Sequence, residues 1–203
     1  MKAKSSRWLT FALLLLASLA LPGRASGAFV FTISPFGSNV VVNGSGSFNL
    51  SGLLITVPGI SSASGGTTPS GAYLFSGSSP LVNEYRSIPA ISGPFSFGSG
   101  GHTNATSNFG AGVGIRGPTS FGGGGLLYLP AGYVSGTELV TGSTYANQTL
   151  ATLGLAPGEY VYTWGSDSLT VRIVPEPSTW SLLGSGVFLA SVLSFRARHG
   201  ARR

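Results

Sequence analysis

The residues of this chain that could do chemistry are few and widely spaced. Four carboxylates, Glu84, Glu138, Glu159 and Asp167, stand between Ala28 and Val174. Folding could bring two of them together as acid and base on a glycosidic bond. Their spacing offers no alternating Asp/Asn run of the kind that wraps a calcium ion. Tyr160, Tyr162 and Trp164 alternate with Val161 and Thr163, so on a strand three rings leave one face. Such a face could stack on sugars, but a wall between two sheets is the preferred reading. His102, with Asn104 and Asn108 nearby, could form a polar loop site, although a solvated histidine is the simpler expectation. Gly112-Val113-Gly114-Ile115-Arg116-Gly117 has the spacing of a dinucleotide fingerprint. Pro118 and the run Gly122 to Gly125 follow where a helix would have to open, so the segment reads as a Gly-rich loop instead. The chain has no cysteine, and His102 is the one histidine between Ala28 and Val174. A cysteine nucleophile and a thiolate metal centre are therefore excluded, and no cofactor is expected.

The elements that must position these residues read as strands. Short apolar, β-branched or aromatic runs recur between Gly, Ser, Asn and Pro: Phe29 to Ile33, Val40 to Val42, Leu53 to Val57 and Ala72 to Phe75. Gly125 to Leu129, Thr137 to Thr141, Tyr160 to Trp164 and Ser168 to Val174 continue the series. In the last, Leu169, Val171 and Ile173 share one face, and Thr170, Arg172 and Val174 the other, as in a half-buried edge or hairpin strand. Thr149 to Leu155 reads as one short helical turn ended by Pro157-Gly158. Ser61 to Gly71 and Gly93 to Gly125 are so rich in Gly and Ser that they are expected to be loops. The pattern predicts an all-β domain, an antiparallel sandwich or open barrel.

Both ends of the chain read as processing segments. Lys2, Lys4 and Arg7 precede an apolar run from Leu9 to Leu21, and small residues follow Pro22. That is the order of a secretory signal peptide, residues 1–27, with cleavage after Gly27 or Ala28. At the other end, Val174-Pro175-Glu176-Pro177-Ser178-Thr179 leads into an uncharged run from Trp180 to Phe195. Pro175 and Pro177 bias the residues before them to extended backbone. As a helix the run would be about 24 Å long, a short span of a hydrocarbon core about 30 Å thick. Trp180 at one interface and Arg196, Arg198, Arg202 and Arg203 at the other would hold it, with the arginines on the cytoplasmic side. Charge follows the same division. The formal +6 of the whole chain arises at the ends, because three arginines against four carboxylates leave −1 between Ala28 and Val174. That region has no basic footprint for nucleic acid. Four Asn-X-Ser/Thr sites, at Asn43, Asn49, Asn104 and Asn147, follow from the Asn/Ser/Thr-rich composition.

The Val174 to Thr179 motif, the apolar run and the terminal arginines together resemble the PEP-CTERM sorting segment of exported Gram-negative bacterial proteins. The resemblance covers residues 174–203, with the motif at 174–179, the span at 180–195 and the basic tail at 196–203. It implies recognition of Pro175, Glu176 and Pro177, as a substrate motif, by a membrane-embedded exosortase, and a link to exopolysaccharide or biofilm. The Ser and Gly content of the span departs from the commoner Leu-rich form. Leu129 to Thr137 and Leu153 to Gly165 are also similar to a segment of several small exported proteins that carry this sorting signal.

The sequence thus predicts a signal peptide (1–27), a Gly/Ser-rich extracytoplasmic β domain (28–173) and a sorting segment with a transmembrane helix (174–203). The expected function is that of an exported, non-enzymatic surface or extracellular-matrix protein. Its expected partners are the Sec translocase, an exosortase, the cytoplasmic membrane and exopolysaccharide, with no nucleic acid. The alternative is a carbohydrate-binding module or a secreted carbohydrate-active enzyme.

Overall fold

The computed structural model of the chain describes residues 28–61, 65–119, 123–165 and 167–175. These form two β-sheets and no α-helix. The first sheet holds, in spatial order, β12 (Gly158–Trp164), β13 (Asp167–Ile173), β1 (Ala28–Phe36), β2 (Asn39–Gly46), β11 (Leu139–Tyr145) and β8 (Ser107–Gly110). The second holds β3 (Leu53–Ser61), β6 (Leu81–Ser87), β10 (Leu126–Pro130), β9 (Val113–Arg116), β5 (Tyr73–Ser76), β4 (Gly66–Thr68) and β7 (Thr103–Asn104). Ala105-Thr106 carries the chain from β7 in the second sheet to β8 in the first.

Alternation along the strands selects the buried faces. Phe29, Phe31 and Ile33 of β1, Val40 and Val42 of β2, and Leu169, Val171 and Ile173 of β13 point inward. From the second sheet Leu74, Ile115, Leu127 and Leu129 meet them in one apolar cluster. Each fully buried side chain of this size contributes about 1.5–3 kcal/mol relative to exposure. Phe48, in the link from β2 to β3, stacks on Phe29 at 4.8 Å and on Trp164 at 6.2 Å between ring centroids. The link is held in place by the connection between β10 and β11. Tyr133 Oη accepts a hydrogen bond from the Phe48 amide at 2.8 Å, and the Leu50 amide donates to Ser135 Oγ at 3.0 Å.

One ladder departs from the expected antiparallel arrangement. β1 runs parallel to β13, from Ala28 opposite Ser168 to Ile33 opposite Ile173. The link between β11 and β12 crosses one end of the sheet and plugs the core there with Leu150, Leu153 and Leu155. β12 therefore starts at the end where β11 stops, and its hairpin partner β13 is delivered parallel to β1. Ser168 to Val174 is accordingly an interior strand of a hairpin, not an edge, because β1 and β12 flank it.

The Gly/Ser-rich stretches are more ordered than their composition suggests. Ser61 to Gly71 contains β4, and Gly93 to Gly125 contains β7, β8 and β9. Val113 to Arg116, the centre of the dinucleotide-like spacing, is strand β9 between β10 and β5. Gly114 is there because a Cβ would lie 2.6 Å from Cδ2 of Phe75. Thr149 to Leu155 is a set of turns, with the Leu153 amide donating to the Thr149 carbonyl at 3.1 Å and the Leu155 amide to that of Leu150 at 2.8 Å. The signal peptide at 1–27, its Gly27 cleavage residue, and Glu176 to Arg203 of the sorting segment lie outside the described residues. Among the described residues no helix is long and apolar enough to cross a membrane.

Candidate functional site

The aromatic trio on β12 does not form a surface platform. Tyr162 and Trp164 are buried in the core, and the half-buried Tyr160 packs edge-on against Phe97, 5.8 Å between centroids, with Oη donating to the Ala156 carbonyl at 2.9 Å. A strand's period of two says which rings share a face, and here that face is the wall between the sheets.

Aromatic side chains gather instead on the outer face of the second sheet. Where Leu74, Ile115 and Leu127 point inward, their neighbours Tyr73, Phe75, Arg116 and Tyr128 point outward. Register aligns them in two rows across the strands. Arg86, Leu126, Arg116 and Tyr73 form one; Glu84, Tyr128, Gly114 and Phe75 form the other. Phe75 and Tyr73 each approach Tyr128 edge-to-face at 6.5 Å between centroids, at 73° and 78°. The rings therefore make a corner rather than a flat shelf.

Two hollows meet at this corner. One, of about 410 Å³, is lined by Thr68, Gly71, Tyr73, His102, Arg116 and Tyr128. The other, of about 250 Å³, is lined by Tyr73, Phe75, Val82, Glu84 and Tyr128 among others. The larger falls within the about 300–1,000 Å³ common for small-ligand sites. From β6 to β4 the groove crosses five strands, four spacings of about 4.8 Å, for a length of about 19 Å.

Polar groups stand at each end. Glu84 Oε1 accepts from Thr56 Oγ1 at 2.8 Å and lies 3.8 Å from Arg86 Nε, while Tyr128 Oη donates to Glu84 Oε2 at 3.4 Å. Burial, reinforced by the Glu84 charge, pushes the Tyr128 hydroxyl up to about 12, and burial raises Tyr73 as well. Both hydroxyls stay protonated at neutral pH. At the far end the exposed His102 is held by both ring nitrogens, Nδ1 to Thr68 Oγ1 and Nε2 to Asn104 Oδ1, each at 3.0 Å. Its ring lies 6.3 Å from that of Tyr73. Of the three arginines among the described residues, Arg86 faces Glu84 and Arg172 faces Glu159. Arg116, exposed in the groove, has no carboxylate within ion-pair distance among the described residues.

His102 and Asn104 thus come together, as their spacing allowed, whereas Asn108 turns to the interior and accepts from Ser143 Oγ at 2.6 Å. The four carboxylates stand on separate elements. Glu84 is on the groove, Glu159 on the outer edge strand β12 with Arg172, and Glu138 on an exposed turn before β11. Asp167 is buried at the start of β13, where its oxygens accept the Asn49 and Ser168 amides, each at 2.7 Å. Burial nevertheless raises its carboxyl above 3.8. No group of three or more His, Asp or Glu suited to a metal ion exists among the described residues.

Tyr73 and Tyr128 escape sequence reasoning because they come from separate strands, and Arg116 stood out only inside the Gly-rich spacing. His102 and Glu84 carried a signal, one as a polar loop residue and the other as one of the four carboxylates. Comparison with protein-family models, curated proteins and solved structures gives no match for this chain.

Proposed function

We propose that the chain is an exported, non-enzymatic surface or extracellular-matrix protein, delivered through the Sec translocase and sorted by its C-terminal motif at Val174, Pro175, Glu176 and Pro177. On this reading the apolar run from Trp180 to Phe195 and the terminal arginines hold the precursor in the cytoplasmic membrane until an exosortase acts. The link to exopolysaccharide or biofilm belongs to the same reading. The two sheets facing one core support a β-sandwich in preference to an open barrel.

The observation that carries the proposal is where the folded unit begins and ends. Among the described residues the first core residue is Phe29 and the last is Ile173. Removal of residues 1–27 or 1–28, and cleavage within the motif, would take no side chain from the core formed by the described residues. β1 and β13 would remain paired after both events. Separate placement of the four carboxylates supports a binding or structural role over a two-carboxylate hydrolase.

The test is intact mass and membrane fractionation of the wild type and of Glu176→Gln and Pro177→Ala. The wild type is expected to lack residues 1–27 or 1–28 and to end within or near the motif. Both variants are expected to persist as a membrane-retained form that keeps the tail. A wild type that keeps the tail, or variants with the wild-type C-terminus, would refute the reading.

A further inference from the structure

We propose that the groove on the outer face of the second sheet is a binding site for an acidic polysaccharide, with Arg116 holding a uronate carboxylate while Tyr73, Tyr128 and His102 pack against sugar rings. The inference concerns the folded domain alone and stands whether or not the tail is cut.

Three observations select this ligand class. First, the groove crosses interior strands whose backbone groups are already spent in ladders with β4, β6, β9 and β10. An extended peptide that docks by strand addition needs a free edge, and finds none there. A saccharide needs no backbone partner, because its C–H faces pack on aromatic rings and its hydroxyls bond side chains. Second, Tyr73 and Tyr128 meet edge-to-face, so a sugar ring resting on one has its rim against the other. Half-buried phenols with protonated hydroxyls offer an apolar face and a polar tip to a ligand that has both. Third, the groove has a sign. Arg116 brings a guanidinium with no carboxylate partner among the described residues, whose fork matches a carboxylate in two parallel hydrogen bonds. Among the described residues Arg116 is the one arginine without a carboxylate partner, too little for a nucleic acid, whose every unit carries a phosphate.

The other end refines the assignment. Glu84 keeps spare acceptor capacity after its bonds to Thr56 and Tyr128, and its charge repels a second carboxylate. It suits a sugar hydroxyl. The groove therefore accepts a segment with a carboxylated unit over Arg116 and a hydroxyl-rich neighbour over Glu84, two adjacent units within a length of about 19 Å.

Titration calorimetry of the full chain in detergent tests this with two probes, an aldobiouronic acid, in which one uronate is linked to a neutral sugar, and its methyl ester. The pair share their ring hydroxyls and differ in the charge of the carboxylate and one methyl group. The acid is expected to bind at least about tenfold more tightly than the ester. Arg116→Gln is expected to abolish that preference while leaving ester binding within about twofold. His102→Ala should weaken both probes, and Arg172→Gln, on the other sheet, should weaken neither. Both groove substitutions are at exposed positions, and circular dichroism matching the wild type verifies the fold. Absence of binding to either probe, equal affinity for the two, or an acid preference that survives Arg116→Gln would each overturn the proposal. None of these results bears on processing of the tail, so the two proposals fail separately.

Discussion

Gly114 is the tightest point under the groove, and a single methyl group there tests the packing directly. An alanine Cβ would sit 2.6 Å from Phe75 Cδ2 and 3.0 Å from the Leu74 carbonyl oxygen. Ordinary carbon contacts lie at about 3.5–4.0 Å, so the ring would have to retreat by about 1 Å. Phe75 is only 4% exposed and has little room to do so. Overpacking of this kind costs about 1–3 kcal/mol, offset by about 0.4–1 kcal/mol from the stiffer unfolded chain. Gly114→Ala is therefore expected to destabilise by about 1–2 kcal/mol, a fall in Tm of about 3–8 °C for a domain of this size. The control is Phe75→Ala, which removes the clashing Cδ2. In that background Gly114→Ala should cost at least about 1 kcal/mol less than in the wild type, a coupling that denaturant unfolding of the two single variants and the double variant can resolve. If the two substitutions add to within a few tenths of a kcal/mol, glycine is not there for the ring and the argument fails.

Two further predictions concern protons. Burial raises the Asp167 carboxyl above 3.8, so in the window just above that value the folded state binds more protons than the unfolded state. Stability from this group is greatest below the window and falls as pH rises through it. Asp167→Asn should cost about 1–3 kcal/mol, because an amide nitrogen would face one of the two backbone donors. The gap from wild type should narrow as pH rises from acid to neutral, and a widening gap in denaturant titrations would contradict the assignment. Tyr128, raised to about 12, keeps its proton in the folded state over a range where an unfolded tyrosine has lost it. Stability should therefore decline as pH climbs from 10.0 towards 12, less steeply in Tyr128→Phe, with phenolate absorbance reporting one fewer late-titrating group.

The sequence made the strands legible where apolar residues alternate without interruption, as in Phe29-Phe31-Ile33 and Leu169-Val171-Ile173. β6 was hidden because its inward set is Asn83, Tyr85 and Ser87. Two polar residues on the core side erase the hydrophobic signal, and Asn83 is tolerated because its Oδ1 accepts the Gly59 amide at 2.9 Å. β8 and β9 were hidden by glycine, which composition reads as flexibility. Gly142 and Gly114 instead vacate space for the rings of Phe109 and Phe75 on neighbouring strands, a relation that exists only after pairing. The groove was illegible for a related reason. Its lining residues are scattered along the sequence, and register alone sets Glu84 beside Tyr128 in one row and Arg116 beside Tyr73 in the next.

The parallel pairing of β1 with β13 has a mechanical meaning. If, as proposed, the tail is held in a membrane and the outer face of the second sheet is loaded, tension would enter at Val174 and run along the axis of β13. That strand is gripped on both flanks, by β1 over Ala28 to Ile33 and by β12 over Gly158 to Trp164. Force along the axis loads both ladders in shear, so their hydrogen bonds must yield together and cannot be peeled one at a time. On that proposal the last strand of the domain would be its tether point, flanked on both sides where an edge strand would unzip.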